Sequence, residues 1–163
     1  MLIHSNDLPF PFVYYLLTKY EQYVVIKDLL IPKIIISAKE GFKNSSYDFL
    51  VDLIEANLKN RNNNFGLWIG FNTKTREIIT YSITFITTDD DMKPICLIYT
   101  GWVNMKYCHF LYETVFEYYD KWAIERSAQR IVFYMSHKME RIISIFKRYG
   151  WQWSKIAMSK ELN

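Results

Sequence analysis

The chain has 163 residues, half of them hydrophobic, which is enough to close a core in one domain, and its net charge of +3 is scattered rather than clustered, so no nucleic-acid partner is implied. No apolar run reaches the length of a membrane span and no leader pattern opens the chain, so the protein is expected in the cytoplasm, or packaged from it. Cys96 and Cys108 lack the CxxC spacing of a metal or redox site and are read as buried free thiols, while an aromatic share of 18% with five Trp predicts that some rings are exposed as contact surface.

After a loop with Pro9 and Pro11, the apolar spacing from Phe12 to Leu30 predicts a helix, and Pro32 is expected to end it. Ser45 or Ser46 caps a second predicted helix, Tyr47 to about Lys59, with Phe49, Leu50, Leu53, Ile54 and Leu58 as its stripe. The polar run "KNRNNN" is the loop that follows. From Phe65 the period changes to two. "FGLWIGF", "REIITYSITF" and "PICLIYTGWV" are rich in β-branched and aromatic residues and predict an antiparallel meander over Phe65 to Val103, turning at "NTKT" and "TTDDDMKP".

Asp89, Asp90 and Asp91 in the second turn are read as solvated, unpaired carboxylates, because consecutive acids lack the spaced ligands of a calcium loop. No metal site is predicted. A long helix follows from about His109 to Ala128, with Leu111, Val115, Tyr118 and Trp122 on one face. "RIVFYMS" is a short, nearly continuous apolar run, as expected of a strand covered on both faces, and it is placed beside the meander on the parallel side of a mixed sheet. Met139, Ile142, Ile143 and Phe146 recur at helical spacing up to Gly150, and Lys147 and Arg148 put positive charge at the helix's negative pole. Trp151 to Leu162 reads as one or two short strands.

This order of elements, with the closing run "ISIFKRYGWQWSKIAMSKEL", resembles the GNAT superfamily of acyl-CoA-dependent N-acyltransferases. Ile145 to Trp151 match the family's Leu-Tyr-Glu-Lys-Leu-Gly-Phe pattern, with Gly150 on its glycine and Trp151 on its Phe. The resemblance implies one α+β domain over residues 1–163, although the family's first strand, before the helices, is not read here. It also implies a chemistry whose residues are replaced. The family's pyrophosphate loop, Arg/Gln-x-x-Gly-x-Gly/Ala, falls near Tyr107 to Tyr112, and nothing from Trp102 to Tyr149 is glycine. Lys106 and His109 are left as candidates to attract the phosphates of acetyl-CoA.

The proton donor to the departing thiolate is the Tyr of the family's Leu-Tyr pair. Phe146 stands there, so Tyr149, one turn on, is the candidate acid. The family's Asn at the start of this helix corresponds to Met139, and its Glu base on the meander has no counterpart in "ICLIYTGW", with Glu77 only at an edge. His109 and His137 sit at helix starts, and no Ser/His/Asp or Cys/His constellation can be assembled. The expectation is a GNAT-fold protein that has lost acetyltransferase catalysis, needs no cofactor and works as a structural or protein-interaction module. Richness in Ile, Lys, Asn and Tyr, the usage of an AT-rich genome, suggests a bacteriophage virion component. The alternative is a divergent acetyl-CoA-dependent N-acetyltransferase acting on a primary amine, with Lys106 and His109 at the phosphates, Tyr149 as acid and positioning of the amine as the main effect.

Overall fold

The structure, a computed structural model, describes residues 2–5, 11–40, 46–134, 144, 146–153 and 157–161. The meander forms where period two predicts it: β3 (Phe65–Asn72), β4 (Glu77–Thr88) and β5 (Pro94–Val103). Ahead of it lie β1 (Leu2–Ser5) and β2 (Phe12–Leu17), and after it β6 (Arg130–Tyr134), β7 (Gln152–Trp153) and β8 (Ala157–Glu161). They make one mixed sheet in the order β1-β2-β3-β4-β5-β6-β8-β7, in which β5 and β6 form the parallel pair.

Helices α1 (Tyr20–Glu40) and α2 (Tyr47–Lys59) cover one face, and α3 (Cys108–Ile124) covers the other with a helical turn at Phe146–Arg148. Leu17, Leu30, Ile34, Ile54, Leu67 and Ile83 fill the first layer. Trp68, Phe116, Tyr119, Trp122, Phe146 and Trp151 fill the second, so most of the aromatic load is consumed inside. Tyr47, Phe49 and Tyr134 are the large aromatics left exposed among the described residues.

Two expectations are corrected here. Phe12–Leu17 is strand, not helix, and it supplies the strand before the helices that the sequence reading lacked. Phe12 and Tyr14 pack on the α3 side and Leu17 on the α1 side, so both faces are apolar and the period of two is erased. The helix starts only at Tyr20, where the Gln22 side chain accepts from the backbone N–H of Thr18 and Lys19, both at 3.2 Å, as in a capping box. Pro32 does not end it. It lies inside α1 on the exposed side, where the carbonyl of Asp28 that loses its donor can be hydrated, and burial of Leu30 and Ile34 offsets the missing bond.

The second helix forms as read, with Ser46 Oγ accepting from Phe49 N–H at 3.2 Å. Glu55 then lashes α2 to α1, accepting from Lys27 at 2.6 Å, Lys59 at 2.9 Å and the Tyr20 hydroxyl at 3.3 Å. At the sheet centre Trp68 Nε1–H donates to Thr84 Oγ1 at 2.9 Å, and Gly66 makes the room: a Cβ there would lie 2.5 Å from that oxygen.

Candidate functional site

Among the described residues the sheet opens between β5 and β6. Ile83 pairs with Thr100 but Thr84 with Ile98, so Tyr99 is an extra residue, a bulge in β5. The parallel ladder to β6 runs from Ile95↔Arg130 to Ile98↔Phe133 and stops there, although β6 continues to Tyr134, which pairs with Ala157 of β8. From Thr100 to Val103, β5 pairs with β4 and, among the described residues, with no other strand. Its other edge offers backbone donors and acceptors to any ligand with amide groups.

The turn from β5 into α3 closes one end of this opening. Asn104 N–H donates to the Ile79 carbonyl at 2.8 Å, and its Oδ1 accepts from Lys106 N–H at 3.1 Å. Tyr107 N–H donates to the Asn104 carbonyl at 2.8 Å and Cys108 N–H to that of Met105 at 3.5 Å. The amides of Lys106, Tyr107 and the first helical residue, Cys108, are thus occupied by the turn itself. The N-cap, Tyr107, makes no side-chain capping bond to the helix amides.

Beyond the opening the C-terminal helix ends in a Schellman motif. Gly150 takes φ 82°, its N–H bonds to Lys147 O at 3.2 Å, and Trp151 N–H reaches back to Phe146 O at 3.2 Å. Such caps place a hydrophobic contact between the residues at their two ends, here Phe146 and Trp151, with ring centroids 5.1 Å apart.

No family model and no curated protein sequence matches the chain. Solved structures do. The GNAT domain of PAT from S. lividans superposes with a TM-score of 0.74 at 10% identity, covering 99% of this chain and 97% of that one. A GNAT-family acetyltransferase from Listeria monocytogenes 4b F2365 gives 0.63 at 15% identity, with 99% and 100% covered. The ribosomal-protein-S5-alanine acetyltransferase from Vibrio fischeri gives 0.66 at 11% identity, with 99% and 97% covered. The chain has the GNAT fold.

Within the GNAT frame, the described candidate side chains have definite surroundings. Phe146 is 4% exposed and packs on Phe116 at 4.8 Å and Phe133 at 5.7 Å as well as on Trp151. Tyr149 is half-buried, its ring 5.7 Å from that of Phe116. Lys106 is exposed and lies over the Tyr107 ring at 5.4 Å. His109 is in the first turn of α3, while its side chain, like all of His137 and Met139, lies outside the described residues. Glu77 opens β4 in solvent.

The acidic turn is a correction. Asp89 is not a free solvated carboxylate: Oδ1 accepts from the backbone N–H of Asp91 at 3.0 Å and Lys93 at 2.8 Å, and Oδ2 accepts from Arg130 Nη2 at 2.8 Å. It clasps the β4–β5 turn to the start of β6. Asp90 and Asp91 stay exposed, and among the described residues no three His, Cys, Asp or Glu side chains gather as a metal site would need.

One polar cluster has no local sequence signal. The Tyr14 hydroxyl donates to that of Tyr119 at 3.0 Å, and Tyr119 also bonds Ser82, all three buried beneath α3. Burial pushes the Tyr119 phenol up to about 12 and Tyr14 well above its ordinary value. Burial likewise pushes the Cys96 thiol up to about 12. Burial thus holds both phenols and the thiol in their protonated forms near neutrality.

Proposed function

We propose that this GNAT-fold protein is a structural or protein-interaction module without acetyltransferase catalysis. The observation that carries the reading is the turn into α3: the Lys106, Tyr107 and Cys108 amides bond within Asn104–Cys108, and no glycine follows to bring the next amides together on one anion, as a diphosphate would need. Phe146 supports it, because the place of the family's proton donor is filled by a ring committed to the helix cap. The composition that suggested a bacteriophage particle is the ground for naming virion assembly as the setting. Calorimetric titration with acetyl-CoA, paired with a melting curve, tests the reading. No heat and no shift is expected; saturable binding in the micromolar range overturns it.

One observation favours a second reading, a divergent acetyl-CoA-dependent N-acetyltransferase. The described ladder between β5 and β6 ends at Ile98↔Phe133, and the segment Thr100–Val103 beyond it is one on which an amide-bearing cofactor arm could pair. Lys106 and His109 would then attract the phosphates, Tyr149 would protonate the thiolate, and the acceptor would be a primary amine held against the thioester. On this reading Tyr149→Phe lowers turnover of acetyl-CoA with a panel of amines while leaving the melting temperature unchanged.

A further inference from the structure

The inner side of α1 is spent on the sheet: Tyr23, Leu30, Ile34 and Ser37 are buried. Its outer side carries a second apolar seam. Val25, Leu29, Pro32 and Ile36 follow at steps of four, three and four residues, the spacing of a two-helix seam rather than of a face meant for water. Val25 is 82% exposed and Leu29 48%, and Pro32 is exposed as well. Two exposed charges bracket the seam, Glu21 in the first turn and Lys39 in the last. They are 18 residues apart (39 − 21 = 18), five whole turns at about 3.6 residues each, so they stand on one line along its flank.

This layout is complementary to itself under one operation. When two copies of α1 run antiparallel about a two-fold axis between residues 30 and 31, Val25 meets Ile36 of the second copy (25 + 36 = 61) and Leu29 meets its Pro32 (29 + 32 = 61). Glu21 of each copy then falls beside Lys39 of the other (21 + 39 = 60), which closes two ion pairs. A parallel arrangement would instead set like charges together, and a partner of one charge sign would satisfy only one end of the seam.

We propose that this outer face of α1 is a homodimer contact, occupied by a second copy of the chain in antiparallel register. The 21-residue helix is about 31 Å long, and one such pair buries less than the roughly 1,600 Å² of a standard interface, so the dimer is concentration-dependent. The contact is independent of whether the opening beside β5 binds a cofactor.

Sedimentation equilibrium of the full chain, from low micromolar to millimolar concentration, reads the association. The wild type should pass from monomer to dimer. Leu29→Lys, which sets two cations next to the axis, should raise the dissociation constant at least about tenfold. Val25→Ser should act in the same direction and serves if the lysine variant fails to fold, which circular dichroism reveals. Glu21→Lys should weaken the dimer about three- to tenfold, and adding Lys39→Glu should restore it. A chain that is monomeric throughout, or a dimer indifferent to the seam variants, overturns the proposal. So does a dimer that the charge reversal leaves unchanged or that the double reversal fails to rescue, because the antiparallel register requires both.

Discussion

Phe146 has rings on three sides, so its two simplest variants test different things. Phe146→Ala should cost about 3–5 kcal/mol in urea denaturation, through the cavity left among Phe116, Phe133 and Trp151. Phe146→Tyr restores the family's phenol but buries its oxygen against those rings, at a cost of about 1–3 kcal/mol, and should give no acetyl transfer. Activity appearing in the tyrosine variant would instead favour the enzyme reading. Glu55 supplies the acid-sensitive term. Its hydrogen bonds from Lys27 and then Lys59 hold the carboxyl down from its ordinary 4.5 to about 2. A depressed folded value means the stabilisation is present above 4.5 and is lost as pH falls from there to about 2. Between those limits the wild type should lose stability that Glu55→Gln does not, as read by denaturation curves at successive pH values. Parallel curves for the two proteins would show that the carboxylate does not link α1 to α2. At this scale the sequence was least legible: Tyr14 and Tyr119 meet across 105 residues, and Asp89 finds Arg130 across 41, so no local pattern announces either pairing.

Helix α2 was legible because its one buried face repeats at the helical period. Helix α2 presents Leu50, Ile54 and Leu58 to the core with a polar back, and its predicted span, Tyr47–Lys59, is the span found. The meander, buried on both faces along β3 and β4, was read from its β-branched and aromatic content and from the polar turns between its runs, and Gly150 stopped its helix because the left-handed turn there costs glycine nothing. The strand β2 was misread because both of its faces are apolar, which leaves no period to count. Pro32 was overweighted for a related reason: the local rule is sound, but tertiary burial on either side of the proline outweighs one missing bond. The residue's cost should still be measurable. Pro32→Ala returns an N–H donor to the Asp28 carbonyl and should raise stability by about 1–3 kcal/mol in thermal or urea unfolding. No gain, or a loss, would mean that α1 is bent to fit the sheet and needs the proline. The candidate opening could be approached from sequence only through its missing glycines, since a bulge at Tyr99 and a ladder that stops at Ile98 are properties of paired strands, not of a run of residues.

For the molecule as a whole, the short ladder between Ile95–Ile98 and Arg130–Phe133 has a consequence for cooperativity. It is the one strand-to-strand connection in the described sheet between β1–β5 and β6–β8, and it is supplemented by the Asp89–Arg130 clasp, the Gln129 N–H bond to Pro94 O at 2.8 Å and the rings around Phe116. A joint of that size opens at lower free energy than the long antiparallel ladders between β3, β4 and β5. Amide exchange at native pH should therefore resolve two protection classes: Ile69 and Ile83 exchange only through global unfolding, whereas Ile131 and Val132 exchange through a partial opening that detaches the C-terminal strands and leaves the meander intact. Asp89→Ala should widen the gap by speeding the second class alone, and equal protection across all four residues would show that the sheet unfolds as one unit. On this account the place where the fold parts its strands also sets the boundary between an early-opening lobe and a persistent one.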